Sequence, residues 1–291
     1  MKKFAIITNS SKDKDLSFSK SVEALIASLG GESVFLGDPL IRAVSIADGE
    51  KAVFGESVEK QLEDCECIIV LGGDGTIIET ARALGDRIIP LVGINLGTLG
   101  FLSCIEKNRM EYAVKELIED RFTIEDRMML KISFPGMKDS NSCYALNDVT
   151  ITRSGLSRII QTDVYVNGDA VGSYLGDGCL VSTPTGSTGY NLSAGGPIVT
   201  PEAKLMCITP ICPHSLNHRS IVVSGDDKIR IVIGERKKSP DTESFATIDG
   251  QIFVKLNRGD IIDIEQAEKM IKFVRFHGQS YFKVLKAKLE R

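Results

Sequence analysis

The chain has 291 residues, of which 43% are hydrophobic and 25% are charged, and this composition is typical of a globular protein with two domains or one large one. Its net charge of −4 gives no general electrostatic attraction to nucleic acid or to an anionic membrane. No stretch reaches the ~20 apolar residues of a membrane helix, and the apolar run after Lys2 and Lys3 is too short for a signal peptide.

Strands alternate with helices in the first 121 residues. Apolar runs predict strands at 4–8, 33–36, 68–71 and 88–94, and helical spacing predicts helices at 18–29, 56–63, 77–84 and 110–118. Residues 37–55 are polar and mixed, and we interpret them as a mobile connection. This alternation predicts a Rossmann-like α/β domain with a parallel sheet, in which ligands bind at the carboxyl ends of the strands. Both Gly72–Thr76 and Asn95–Phe101 follow strands and are expected to face one cleft.

The stretch Gly72-Gly73-Asp74-Gly75-Thr76 joins a strand to a helix. Because glycine has no Cβ atom, a ligand can approach the backbone N–H groups of this stretch closely, and the N-terminus of a helix favours the binding of phosphate. Because a carboxylate repels phosphate, Asp74 indicates a base acting on a hydroxyl or a metal ligand, with a plain Asp-Gly turn as the alternative. Thr76 and Glu79 fit a capping box. No lysine follows the glycines as in a P-loop, and the third glycine of a dinucleotide fingerprint is missing.

From about Arg121 the pattern changes to short strands separated by turn residues. Strands are predicted at 130–134, 143–152, 158–166, 171–174, 179–183, 204–209, 220–223, 228–233, 245–248, 252–256, 260–264 and 270–276, with Asn167-Gly168 as a hairpin turn. This predicts a β-sandwich-like domain. A final helix over 279–291 is expected to pack back on the first domain. The predicted domains are therefore 1–121 with 277–291, and 122–276.

A second unusual stretch runs from Asp177 to Gly196 and carries seven hydroxyl-bearing residues between Ser182 and Ser193. A strand leads into a Pro-Thr-Gly turn and a short helix. Hydroxyls and free N–H groups at such a place can hold ribose or phosphate oxygens, and a capped glycine-rich turn is the alternative.

The seven cysteines and three histidines show no metal-ligand spacing and no C-x-x-C pair. We therefore predict reduced, mostly buried thiols in a cytoplasmic protein, without a cysteine–histidine metal site.

Taken together, these stretches resemble the NAD kinase family over nearly the whole chain. The matching residues are Gly72–Thr76, Gly100–Leu102, Asn147-Asp148, Asp177-Gly178, Ser182–Tyr190 and Asp249-Gly250. The glycine–aspartate block is shared with diacylglycerol-type lipid kinases and phosphofructokinases. The Thr-Pro-Thr-Gly-Ser-Thr block in a strand-rich half is far more specific.

The resemblance implies transfer of a phosphoryl group from ATP, or polyphosphate in some members, to the 2′-hydroxyl of the adenosine ribose of NAD, which gives NADP. It implies a magnesium-dependent homo-oligomer, often a dimer or tetramer, with Asp74 as the general base. Gly72, Gly73 and Gly75 would admit the donor phosphates, and Asn147 and Asp148 would hold the acceptor. The implied pocket also includes Phe101, Asp177, Thr185, Thr188, Gly189, Tyr190 and Ser193, with Thr76 and Asp249 close by.

Two positions depart from the usual family pattern: Asp148 replaces a common Glu, and Gly189 replaces a common Ala. Either change can shift the preference between NAD and NADH. Two other functions stay open from the residues alone. A lipid kinase would need an apolar acceptor groove, which the hydroxyl-rich block does not suit, and a non-catalytic dinucleotide sensor would not need Asp74.

Overall fold

The computed structural model describes residues 1–38, 56–84, 87–103, 105–137, 142–155, 159–214, 219–234 and 243–290. Residues 39–55 of the predicted connection lie outside this part of the chain. The described residues form two compact units, one of residues 1–126 with 271–290 and the other of residues 127–270, apart from the gaps above.

The first unit is built on a seven-stranded sheet with the order β2-β1-β3-β4-β19-β6, in which β5 pairs with β4. Its strands are β1 (Lys3–Thr8), β2 (Glu32–Gly37), β3 (Cys67–Gly72), β4 (Leu91–Asn95), β5 (Ile105–Glu106), β6 (Thr123–Arg127) and β19 (Ile271–Arg275). Its helices are α1 (Ser17–Ser28), α2 (Glu56–Leu62), α3 (Asp74–Ala83), α4 (Met110–Ile118) and α6 (Tyr281–Leu289), with a 3₁₀ turn at Lys107–Arg109.

The central strand β3 is buried along its whole length. It pairs in parallel with β1 along one edge and with β4 along the other. Because successive side chains of a strand point to opposite faces and all of them are buried, both faces of the sheet are covered at β3. Buried side chains of α1 and α4 share one core with β3. This packing brings the carboxyl ends of β1, β3 and β4 to one edge of the sheet.

The second unit contains two six-stranded antiparallel sheets, with the orders β11-β10-β15-β18-β7-β8 and β14-β13-β12-β9-β16-β17. The strands are β7 (Leu130–Ser133), β8 (Cys143–Ala145), β9 (Asp148–Arg153), β10 (Ile160–Val166), β11 (Asp169–Gly176), β12 (Gly178–Ser182), β13 (Leu205–Ile211), β14 (Ile221–Ser224), β15 (Ile229–Ile233), β16 (Ser244–Ile248), β17 (Ile252–Leu256) and β18 (Ile261–Gln266). A 3₁₀ turn (Thr185–Thr188) and α5 (Tyr190–Ser193) follow β12. Side chains from both sheets share one core, as in a β-sandwich.

The predicted fold class is confirmed: an α/β unit with a largely parallel sheet is combined with a sandwich-like all-β unit. The Asn167-Gly168 turn has the positive φ angles of a tight hairpin, 53° and 91°. The final helix returns to the first unit, where the ring of Tyr281 lies 6.2 Å from that of Phe101. Within the described ranges, no helix is long and apolar enough to cross a membrane.

Several strands differ from the predictions. The strand predicted at 88–94 begins only at Leu91, because Pro90 has no N–H group for the ladder. The strand predicted at 143–152 is divided into β8 and β9, which belong to different sheets. Strands β5 and β6 were not predicted.

Strand β19 corresponds to the strand predicted at 270–276 in the β-rich domain, yet it lies in the first sheet. It pairs in parallel with β4, with Phe273 opposite Leu91. Salt bridges from Lys272 to Asp126 and from Arg275 to Glu125 connect it to β6. The two units consequently meet along the chain at residues 126/127 and 270/271, a few residues from the predicted boundaries.

Candidate active site

The turn between β3 and α3 holds the first group of predicted site residues. Gly72 ends β3 opposite Asn95 of β4. Gly73 is the extended N-cap residue, so α3 begins at Asp74, two residues before Thr76. The predicted capping box is therefore wrong. Thr76 is buried in the first turn, where its Oγ1 accepts a hydrogen bond of 3.3 Å from Nδ2 of Asn9.

The half-buried carboxylate of Asp74 binds the loop that follows β4. Its Oδ1 accepts hydrogen bonds from the backbone N–H of Leu102 (3.1 Å) and from both the N–H (2.9 Å) and the hydroxyl (2.8 Å) of Ser103. Its Oδ2 accepts one bond, from the N–H of Phe101 at 2.8 Å. A carboxylate oxygen has about two lone-pair sites. Oδ2 therefore keeps capacity to accept a further proton donor, whereas Oδ1 is fully used.

The loop from Asn95 to Ser103 is shaped to receive this carboxylate. Asn95 is buried and closes the loop through bonds to the backbone of Gly97, Thr98 and Ser103. A Cβ atom placed on Gly100 would lie only 1.9 Å from Oδ1 of Asp74. Glycine at position 100 is therefore required for the close approach. The predicted proximity of Gly72–Thr76 and Asn95–Phe101 is confirmed.

The second group of predicted residues lies in the second unit, around the start of β9. The carboxylate of Asp249 accepts bonds from the backbone N–H groups of Leu146 (3.0 Å), Asn147 (2.7 Å) and Asp148 (3.2 Å). In return, the N–H of Asp249 donates to the carbonyl of Asp148 at 2.9 Å. This exchange bends the chain between β8 and β9 and holds the Asn147-Asp148 pair in place.

Asp148 is buried beside a second carboxylate. Burial, followed by the negative charge of Asp249, raises the pKa of Asp148 to about 7, while the hydroxyl of Thr150, 3.1 Å away, opposes the shift. The carboxyl of Asp148 is therefore poised to be protonated near neutral pH.

Gly189 lies close to this pair. A Cβ atom at Gly189 would be 3.8 Å from Nδ2 of Asn147 and 4.0 Å from Oδ2 of Asp148. It would also lie 3.3 Å from the carbonyl oxygen of Gly186, so a methyl group at this position would be tightly placed between that carbonyl and the two polar side chains.

The hydroxyl-rich block after β12 is held by internal bonds. Thr183 donates its hydroxyl to the carbonyl of Leu146 at 2.6 Å and its N–H to the carbonyl of Asn147 at 2.8 Å, which places the block beside the Asn147-Asp148 pair. The hydroxyl of Thr185 accepts a bond from Nη1 of the buried Arg127 at 3.1 Å. Thr188 donates to the carbonyl of Thr185.

The remaining predicted residues differ in their surroundings. Tyr190 is 45% exposed, and Ser193 is exposed as well. The buried part of the Tyr190 ring, followed by electrostatic repulsion from Cys212, Asp177 and Asp148, raises the pKa of its phenol. Asp177 precedes β12, whereas the hydroxyl block follows that strand. The carboxylate of Asp177 forms a salt bridge with Nε of Arg153 at 2.7 Å. The sequence did not predict this ion pair.

Sequence reasoning missed three residues that organise these two groups: Asn9, Ser103 and Arg127. It placed Asn95 at the start of the loop after β4 but gave its side chain no role. None of the three missed residues forms a recognisable spacing pattern. The one available signal was a polar residue that immediately follows an apolar run, as at Asn9.

The residues that the structure describes contain no group of three or more His, Cys, Asp or Glu side chains placed to hold a metal ion. A divalent cation that is bound mainly by substrate phosphates and water would not need such a group.

Comparison with known proteins assigns both halves of the chain. A family profile described as the ATP-NAD kinase N-terminal domain matches residues 7–122, and one described as the ATP-NAD kinase C-terminal domain matches residues 146–276. The chain is 45% identical over 291 residues to an NAD kinase of Lachnoclostridium phytofermentans, and the match covers 99% of each chain.

Two solved structures resemble the whole chain. One is an NAD kinase from Archaeoglobus fulgidus in complex with ATP, with a TM-score of 0.75 and 26% identity, covering 99% of this chain and 98% of that one. The other is yeast NADH kinase complexed with NADH, with a TM-score of 0.81, 24% identity and coverage of 100% and 88%. These matches favour neither a lipid kinase nor a non-catalytic sensor. The chain belongs to the NAD kinase family.

Proposed function

We propose that this protein transfers the terminal phosphoryl group of ATP to the 2′-hydroxyl of the adenosine ribose of NAD, with Asp74 as the general base. Family membership supports the reaction, and the hydrogen bonds of Asp74 support the role of its carboxylate. Four donors hold this carboxylate on one loop, yet its Oδ2 retains capacity for a substrate hydroxyl. That remaining capacity is the observation on which the assignment of the base depends.

In the proposed step, the 2′-hydroxyl of NAD donates a hydrogen bond to Oδ2 of Asp74. Its oxygen attacks the terminal phosphorus of ATP, and a new O–P bond forms while the bond to the bridging oxygen of ADP breaks. The proton of the hydroxyl passes to Asp74, and ADP leaves with the electron pair of the broken bond. An aliphatic hydroxyl is a poor nucleophile at neutral pH, so a carboxylate held in this position is useful.

Gly72, Gly73 and Gly75 are proposed to admit the donor phosphates. A Cβ atom on Gly75 would meet no other atom within 4 Å, so the backbone is open at this position, whereas one on Gly72 would lie 2.6 Å from Oγ1 of Thr76. Magnesium is expected to arrive on the ATP phosphates, since the described residues offer no cage of three ligands. When bound, the cation would neutralise charge on the transferred group.

The Asn147-Asp148 pair and the hydroxyl block are proposed to bind NAD. Thr185, Thr188, Tyr190 and Ser193 offer hydroxyls, and Asp148 can accept or donate a hydrogen bond, because its pKa is about 7. Hydroxyl and carboxyl groups of this kind suit the ribose hydroxyls of a dinucleotide. In the second unit, Asp249 holds the pair in place and Asp177 is paired with Arg153. Phe101 and Thr76 of the first unit, like Asp177 and Asp249, remain predicted binding residues from the family resemblance.

A coupled assay tests the proposal. Purified protein is incubated with NAD, ATP and magnesium, and NADP is measured with an NADP-specific dehydrogenase. We expect NADP to form with wild-type protein and to be nearly absent with Asp74→Asn. No NADP from folded wild-type protein would refute the reaction. Parallel reactions with NADH and polyphosphate determine the preferred acceptor and donor.

Magnesium dependence and assembly into a homo-oligomer remain predictions from the family resemblance, and a cytoplasmic location remains a prediction from the cysteine usage. EDTA titration of the assay and size-exclusion chromatography with light scattering test the first two.

A further inference from the structure

We propose that Lys12 binds the phosphate chain of the donor nucleotide, an inference that rests on the proposed function. The sequence shows no lysine after the glycines of the β3–α3 turn, as a P-loop would have. In the structure, a lysine reaches this turn from a different loop, the one between β1 and α1.

The ammonium group of Lys12 lies against two glycines at the carboxyl ends of adjacent strands. A Cβ atom on Gly73, after β3, would be 3.2 Å from Nζ of Lys12, and one on Gly97, after β4, would be 3.6 Å from it. A side chain at position 73 would therefore crowd this cation. The two glycines leave space for Nζ and for a ligand at the same edge of the sheet.

The backbone around Lys12 is fixed on both sides. Asn9 donates its N–H to the carbonyl of Leu71 at 2.9 Å, and its side chain bonds to Thr76 in α3. The buried Asp13 accepts bonds from the N–H of Phe18 (3.1 Å) and from the N–H (2.9 Å) and hydroxyl (2.6 Å) of Ser19. These contacts hold the loop against the end of β3 and the start of α1. Lys12 therefore lies between two residues, Asn9 and Asp13, that hydrogen bonds tie to β3, α3 and α1.

The charge of Lys12 is not used elsewhere in the part of the chain that the structure describes. No carboxylate there forms an ion pair with it, although other exposed lysines of the same unit, such as Lys3 and Lys115, do have such partners. Its three N–H donors are therefore available to a ligand, and the nearby carboxylate of Asp74 is occupied by four donors of its own.

These observations match what phosphoryl transfer requires. The phosphates of ATP carry several negative charges, and an enzyme must neutralise and position them. A lysine is a compact point charge that suits phosphate oxygens without a fixed angle. Polyphosphate shares this chemistry, so the same residue would serve either donor.

The test compares Lys12→Met and Lys12→Arg with Lys14→Met, which removes the same charge from an exposed position two residues away. Steady-state kinetics would be measured with ATP varied at saturating NAD, and then with NAD varied. We expect Lys12→Met to raise the KM for ATP about tenfold or more and to change the KM for NAD less than about twofold. In Lys12→Arg, the KM for ATP should return most of the way to the wild-type value. Lys14→Met should behave as wild type. An unchanged KM for ATP in Lys12→Met, or an equal rise in both KM values, would overturn the proposal.

A second readout does not depend on turnover. Inorganic tripolyphosphate, titrated calorimetrically against wild-type protein and the variants, should bind at least about tenfold more weakly to Lys12→Met than to Lys14→Met. Equal affinities would also overturn the role of Lys12. Inactive wild-type protein that still binds tripolyphosphate through Lys12 would refute the proposed reaction while leaving the phosphate site intact.

Discussion

Ser103 contacts Oδ1 of Asp74 twice, through its backbone N–H at 2.9 Å and through its hydroxyl at 2.8 Å. Because Ser103 is fully buried, both contacts are shielded from water. In the proposed reaction, these two bonds would direct Asp74 so that Oδ2 is the oxygen left for the substrate. Ser103 would then be a positioning residue, since it would act on the substrate only through Asp74.

Replacing Ser103 with Ala should lower kcat more than it changes either KM. The variant keeps the backbone bond but loses a hydroxyl bond to a charged group, an interaction of about 1.5–3 kcal/mol. We expect kcat to fall about tenfold, with the KM for NAD changed less than about twofold. Urea unfolding of the same variant separates the two effects. A loss of stability with unchanged kcat would show that Ser103 only holds the loop together.

Replacing Asp74 with Asn should leave the fold and NAD binding in place while turnover falls about 10²-fold or more, as expected for loss of a general base. The matched control is Asp64→Asn, which makes the same change at a carboxylate whose side chain is 82% exposed. Turnover is measured by NADP formation, and NAD affinity by calorimetry. Near-normal turnover in Asp74→Asn would remove Asp74 from the role of base.

Replacing Asp148 with Asn should make stability less dependent on pH. In the unfolded chain an aspartate has a pKa of about 3.9, whereas burial and Asp249 raise the folded value to about 7. Between these values the folded protein holds a proton that the unfolded chain has lost. The free energy of unfolding of wild-type protein therefore falls as pH rises through this window, by up to about 1.4 kcal/mol per pH unit, and the effect ends above the folded pKa.

Urea unfolding at pH 5 and pH 8 checks this expectation. Asparagine at position 148 does not titrate, so the variant lacks this loss of stability. The free energy of unfolding of Asp148→Asn minus that of wild type should therefore rise by about 1 kcal/mol or more between pH 5 and pH 8. An identical pH dependence in both proteins would mean that Asp148 is ionised in the folded state throughout this range.

Replacing Gly100 with Ala should destabilise the first unit and reduce activity. The added Cβ would lie 1.9 Å from Oδ1 of Asp74 and 2.5 Å from Oγ of Ser103, so the carboxylate must move. We expect a loss of about 1–3 kcal/mol, as for other overpacked sites. In an Asp74→Ala background the same change should cost less, because one of the two clashing groups is absent. Equal losses in both backgrounds would place the strain elsewhere in the loop.

The sequence by itself determined the elements and the two chemical motifs. Apolar runs such as Ile68–Leu71 predict buried strands because burial depends on side chains that are close together in the chain. The glycine–aspartate turn and the hydroxyl block were recognisable because their residue types are needed at fixed local spacing. Together they were sufficient for the family and the fold class.

Only the tertiary structure decided which distant residues meet. Asp74 binds Ser103, 29 positions away, and Asp249 binds the backbone of Asn147, 102 positions away. Lys12 reaches Gly73 and Gly97 only because β1, β3 and β4 lie side by side and end at one edge. Strand pairing and close packing act between segments that are remote in sequence, so no local pattern encodes these contacts. The donor set of Asp74, the raised pKa of Asp148 and the position of Lys12 all have this origin.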